Sequence, residues 1–257
     1  INDDILPALK SGFTQNEMAN LLNGYQTTWA AYATVPIIGG TGYHSRNFGA
    51  NMFMLTIAGL RNPKYVSDAI KMQHANAAVH QYMKANFILD YYTALDELVA
   101  DGGKLFKGNL KKAADFRGAE GIRIARTLKE VNKTGVLSQG FFADMGRDQL
   151  VFQARGGRYS GVKDFLLTNP VVRGGQKLGS VLEDNARIAL YLDGREAKGL
   201  NVLESASRTR DFLFDYGDLT KTELMIKSKL SRFYTWMRKN LDLQIRALSS
   251  NPGSVMA

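Results

Sequence analysis

The sequence contains no cysteine, which excludes disulfides, thiolate zinc sites and thiol nucleophiles. The absence fits a reducing cytoplasm and equally a protein that passes between redox compartments. Histidine is scarce: His44, His74 and His80 are the three in the chain. Nothing at the start resembles a signal peptide, because Ile1-Asn2-Asp3-Asp4 lacks a basic end followed by an apolar run. A start without methionine is expected of a piece of a longer polypeptide. The uncharged stretch Phe48–Leu60 (FGANMFMLTIAGL) has 13 residues, against roughly 20 needed to span a bilayer. A buried core or intersubunit helix is therefore expected there, with a membrane-penetrating segment as the sharper alternative.

What is present is apolar material in globular proportion, 45% of 257 residues, enough for one large domain or two ordinary ones. The net charge of +9 is unevenly placed. Residues 1–100 hold 6 of the 33 basic and 7 of the 24 acidic residues, a net of −1, which leaves +10 on residues 101–257. Such asymmetry suits a polyanion partner, nucleic acid or anionic lipid, and also an ordinary solvated basic surface.

Helical periodicity dominates and strand-like alternation is hard to find, so an all-α, multi-helix bundle is expected. Thr14-Gln15-Asn16-Glu17 is a capping box, followed by the stripe Met18, Leu22, Tyr25, Trp29 and Tyr32. Pro36 and Gly39-Gly40-Thr41-Gly42 end that helix, and a second covers Tyr43–Leu60. Pro63 suits a helix start. Neither proline nor glycine interrupts residues 64–100, which predicts one helix about 50 Å long, closed by Asp101-Gly102-Gly103. Residues 104–160 are glycine-rich and basic, with short helices expected at Ile122–Val131 and Leu137–Met145. Leu150–Tyr159 also fits a β-hairpin turning at Gly156-Gly157. Helices resume at Val171–Asp193, Leu200–Asp215 and Lys221–Ser249. No fixed repeat and no low-complexity linker divides the chain. The expected organisation is an apolar N-terminal unit, 1–103, and a basic C-terminal unit, 104–257, which could also form one continuous domain.

Patterns that would carry chemistry fail on inspection. Gly39–Gly42 is followed by Tyr43, not the lysine of a P-loop, and a helix precedes it rather than the strand of a dinucleotide site. His74 and His80 are six residues apart, about 240° around a helix, and cannot grip one metal ion together. Glu183 and Asp184 are adjacent, so their carboxylates diverge. Asp215 and Asp218 lie before the second capping box, Thr220-Lys221-Thr222-Glu223. No catalytic residue, metal or cofactor is implied.

The C-terminal helix is more informative. Lys227, Lys229, Arg232, Arg238 and Lys239 interleave with Phe233, Tyr234, Trp236 and Met237. That mixture suits phosphate backbones and stacked bases, bilayer interfaces, or plain packing.

DYGDLTKTE (Asp215–Glu223), FYTWMRKNLDLQIRAL (Phe233–Leu248) and NPG (Asn251–Gly253) together resemble a signature in bacteriophage large polyvalent proteins, which include internal or ejected virion proteins. The resemblance rests on Asp215, Tyr216, Asp218, Thr220, Asn240, Gln244, Pro252 and Gly253. GYHSRNFGANMF (Gly42–Phe53), with His44, Arg46 and Asn47, matches more weakly, as does the helical pair Gly179–Phe214. The Gly/Lys-rich middle is not covered. Arg232 stands where the family pattern has proline, so the helix is expected to run unbroken there.

The resemblance implies a phage virion protein without catalytic residues in this part of the chain, located in the capsid or at the portal and tail. It further implies self-association, contact with portal or tail proteins, and contact with DNA or the host envelope during genome delivery. A static component of the capsid–portal–tail assembly, or an accessory DNA-binding domain of a phage polyprotein, would carry the same signature.

Overall fold

The computed structural model describes residues 41–101, 118–137 and 170–213, with Thr220, Glu223, Arg238, Leu241 and Ile245 beyond them. These residues form helices α1 (Thr41–Ile57), α2 (Lys64–Asn86), α3 (Tyr91–Ala100), α4 (Gly118–Lys133), α5 (Pro170–Leu192) and α6 (Val202–Phe212), with a π-helical turn at Asp193–Ala197. No strand occurs among the described residues, and their class is all-α, as the periodicity indicates. The expected helix at Met18–Tyr32, that at Leu137–Met145 apart from Leu137 itself, which lies in a turn, and the hairpin at 150–159 lie outside the described residues.

Helix α5 is the centre of the bundle. Every residue from Asn185 to Gly194 is buried, so the last turns of α5 are enclosed on all sides rather than on one stripe. Helices α1, α2, α4 and α6 all pack on α5, while α3 closes over α2 and α4. Helix α2 runs antiparallel to α5: Gln73 donates to the Val181 carbonyl, whereas Tyr65, near the start of α2, feels the charges of Asp193 and Glu196. The core between them holds Met72, Val79, Leu95, Leu98, Ile124, Leu128, Ile188 and Leu192. Burying side chains of this size contributes roughly 1.5–3 kcal/mol each. The core among the described residues draws on side chains before and after position 103.

The helix expected over residues 64–100 is two helices, a correction with a local cause. Asp90 takes the N-cap of α3, its carboxylate accepting from the Thr93 amide and hydroxyl at 2.7 Å. Capping of this kind competes with continued helix even where no proline or glycine is present. At the other side of the break α2 ends with the Ile88 amide bonded to the Met83 carbonyl, 3.0 Å, and with Phe87 left-handed at φ 56°. The resulting hairpin is pinned by Tyr82 Oη donating to Glu97 and Tyr91 Oη donating to Asn76.

Helix α1 bears out half of what its apolar stretch promised. Leu55 and Ala58 are buried, but Phe48 and Phe53 are about half exposed. No helix among the described residues is long and apolar enough to cross a membrane.

Candidate functional site

Among the described residues, the greatest concentration of buried charge surrounds the π-turn that follows α5. A π-turn inserts one residue into helical rhythm and re-aims the side chains after it. Here the wide turn is closed by the Lys198 amide on the Asp193 carbonyl, 3.1 Å. Three of its five residues reach out into the bundle, Asp193 to α6 and both Arg195 and Glu196 to α4.

Asp193, 3% exposed, accepts from Arg208 Nη2 of α6 at 2.8 Å. The same guanidinium donates to the Leu190 carbonyl and to the Ala58 carbonyl just beyond α1, so one arginine ties α1, α5 and α6. Arg195 grips Glu130 of α4 with two nitrogens at 3.1 and 3.2 Å, and donates its third to the Leu200 carbonyl. Tyr191 Oη adds a bond to the same Glu130 at 2.7 Å. Glu196 is held by Arg123 of α4, whose Nη2 also donates to Asp68 of α2 at 2.8 Å. Asp68 is 2% exposed, with Lys64 and Lys71 at 3.9 and 3.6 Å adding further positive charge.

The electrostatics follow from these contacts. Burial lowers the Arg123 pKa, but hydrogen bonds to Glu196 and Asp68 outweigh it and the net shift is upward. Arg195 is shifted up chiefly by its bond to Glu130. Tyr191 is shifted up by burial and then by the adjacent Glu130, which disfavours a second negative charge.

Chemically this is a set of ties. Each of Asp68, Glu130, Asp193 and Glu196 accepts from an arginine, a side chain that stays protonated at any ordinary pH. Among the described residues no three histidine or carboxylate side chains converge as a metal site. His74 and His80 are exposed, His80 with its ring 5.4 Å from that of Tyr91.

Close packing accompanies the ties. A Cβ on Gly194 would lie 2.9 Å from Ser205 Oγ and 3.2 Å from its Cβ, so only glycine lets α6 approach the π-turn this closely. The Ser205 hydroxyl is buried and has no hydrogen-bond partner among the described residues.

Of the residues singled out in the sequence, His44, Arg46 and Asn47 lie on the first turns of α1. His44 is buried, whereas Arg46 is exposed and donates to the Gly42 carbonyl one turn back. The capping box at Thr220 is formed: Glu223 Oε2 accepts from the Thr220 amide and hydroxyl, both at 2.8 Å, and the Glu223 amide donates to Thr220 Oγ1 at 3.3 Å. Arg238, from the basic-aromatic set, pairs with Glu223 Oε1 at 2.8 Å. Lys227, Lys229, Arg232, Phe233, Tyr234, Trp236, Lys239, Asp215, Tyr216, Asp218, Asn240, Gln244, Pro252 and Gly253 lie outside the described residues.

Sequence inspection missed the π-turn ties, although two signals pointed to them. Asp68 sits among the buried positions Tyr65, Ala69 and Met72, and Asp193-Gly-Arg-Glu follows directly on a fully apolar run.

Fold and site together define a class: among the described residues, an all-α bundle whose central helix is locked to its neighbours by arginine–carboxylate ties, two of them on buried aspartates. No protein-family model, curated protein or solved structure matches the chain.

Proposed function

We propose that the chain is a non-enzymatic helical module of a phage virion, an internal or ejected protein that assists genome delivery. It would act by self-association and by contact with portal or tail proteins, DNA or the host envelope. The observation that carries this reading is the resemblance of Asp215–Gly253 to the phage signature, within which Thr220 and Glu223 make the reciprocal bonds of a capping box. Two further features support it. The described charged core serves to hold helices together, which suits a scaffold better than a catalyst. The basic excess after residue 100 suits a polyanionic partner.

Virions analysed by mass spectrometry before and after DNA release provide the test. The protein is expected in intact particles and depleted from emptied ones. Equal amounts in both would assign it to the static capsid–portal–tail assembly, and absence from intact particles would end the phage reading. In isolation the chain is expected to form oligomers or to bind DNA or anionic vesicles with steep salt dependence. A salt-insensitive monomer with none of these affinities would count against the reading.

A further inference from the structure

We propose that the turn between α2 and α3, carrying Phe87 and Leu89, is a shallow insertion wedge for an anionic lipid bilayer. The proposal deepens the envelope contact named above and rests on that reading.

Among the described residues, α1, α2 and α4 each end on the same bond, from an amide to the carbonyl five residues back: Leu60 to Leu55, Ile88 to Met83 and Val136 to Val131, at 2.9, 3.0 and 3.0 Å. The residue before each donor is left-handed, and in two cases it is glycine, Gly59 at φ 80° and Gly135 at φ 67°. The third is Phe87 at φ 56°. A side chain there is disfavoured, and the Phe87 ring gains nothing inside the fold to offset it, being 91% exposed. Leu89 is 97% exposed, while Ile88 between them packs on the core. The chain pins the middle residue and holds its two apolar neighbours outward.

Exposure and charge select the occupant. Two large apolar side chains on a protruding turn suit a deformable apolar medium. Lys84 lies in the last turn of α2, and Lys133 sits 5.5 Å above the Tyr92 ring just past the turn. Because α5 is antiparallel to α2, exposed Arg173 and Lys177 run alongside the C-terminal half of α2. The acid of the turn, Asp90, keeps its negative charge, which the bonds from the Thr93 hydroxyl and amide stabilise, and it is outnumbered by these basic side chains. Apolar teeth with an excess of basic side chains nearby, and with Tyr91 and Tyr92 just past the turn, match the headgroup zone of an anionic membrane.

The test uses the full chain and vesicles of mixed phosphatidylcholine and phosphatidylglycerol. Wild type is expected to partition onto these vesicles, more weakly as salt rises, and poorly onto phosphatidylcholine alone. Combining Phe87→Gly with Leu89→Ser is expected to lower partitioning about tenfold or more without lowering the melting temperature. The chain lacks cysteine, so an environment-sensitive dye on Leu89→Cys reports this site alone. Its emission is expected to shift to the blue on anionic vesicles and to be quenched at headgroup depth. Unchanged partitioning of the double variant would overturn the wedge while leaving an envelope contact elsewhere. Loss of self-association with unchanged partitioning would instead seat the turn in a second copy of the chain. Wild type that ignores vesicles would overturn the wedge and the envelope contact together, while the virion test above would still decide the phage reading.

Discussion

Arg123 stands between Asp68 and Glu196, with Nη2 2.8 Å from Asp68 Oδ2 and Nε 2.7 Å from Glu196 Oε1. One guanidinium thus joins α2, α4 and the π-turn, and it does so over a carboxylate whose side chain is 3% exposed. Removing one partner of a buried pair leaves the other desolvated without its counter-charge, a loss of about 3–5 kcal/mol. Lys64 and Lys71 supply part of the missing charge, which places Arg123→Ala at the low end of that range, about 3 kcal/mol. Replacing both partners, Asp68→Leu with Arg123→Met, is expected to cost much less than the single change. Chemical denaturation of the two variants checks this, and a double variant no more stable than Arg123→Ala would contradict it.

Phe87 and Gly135 occupy the same place in two copies of one helix-ending motif, and opposite substitutions there should have opposite signs. Phe87→Gly relieves the left-handed backbone without removing a packed side chain, and is expected to raise stability by about 1 kcal/mol. Gly135→Ala, at φ 67°, is expected to lower it by about 1 kcal/mol. Thermal melts of the two single variants measure both, and a destabilised Phe87→Gly would show that the ring supports the fold.

That pair also shows where the sequence is legible. Periodicity and punctuation anticipate α1, α4, α5 and the Pro63 start of α2, because those signals are local and agree with the packing. The break at Phe87–Asp90 escapes them. It is made by a phenylalanine in a glycine's conformation and by an Asp-x-x-Thr cap within an otherwise uninterrupted helical stretch. The ties of Arg123, Arg195 and Arg208 escape for a different reason. Each joins groups far apart in the chain, such as Asp68 with Arg123 or Glu130 with Arg195, and a charged residue's partner at that separation leaves no local trace. Thr220 with Glu223 was legible because a capping box spans only four residues.

Gly194 and Ser205 are in contact, and their substitutions should not add. Gly194→Ala drives a methyl group to 2.9 Å from Ser205 Oγ, an overpacking expected to cost roughly 1–3 kcal/mol. Ser205→Ala deletes a buried hydroxyl that lacks a described partner, so it should be neutral or stabilising. It also removes the nearest clashing atom, and the double variant should therefore recover part of the Gly194→Ala loss. A double-mutant cycle in denaturant measures the coupling, and strict additivity would show that α6 moves away from the π-turn instead.

Tyr91 and Tyr191 give stability a ceiling in alkali. Burial raises the pKa of both above the ordinary 10.0, and for Tyr191 the bonded Glu130 raises it further. Below pH 10.0 both states of the protein hold these protons, and the contribution is complete and constant. Above that value the unfolded chain releases them while the native state retains them, so stability falls as pH rises towards the native pKa values. Ultraviolet titration is expected to show that these two tyrosines do not ionise with the exposed ones, but only as the circular dichroism of the helices is lost. Tyr191→Phe removes one such group, so the alkaline loss of stability should become shallower, while neutral stability drops through the lost bond to Glu130. If Tyr191→Phe leaves the alkaline slope unchanged, its hydroxyl is not the group that the native bundle keeps protonated.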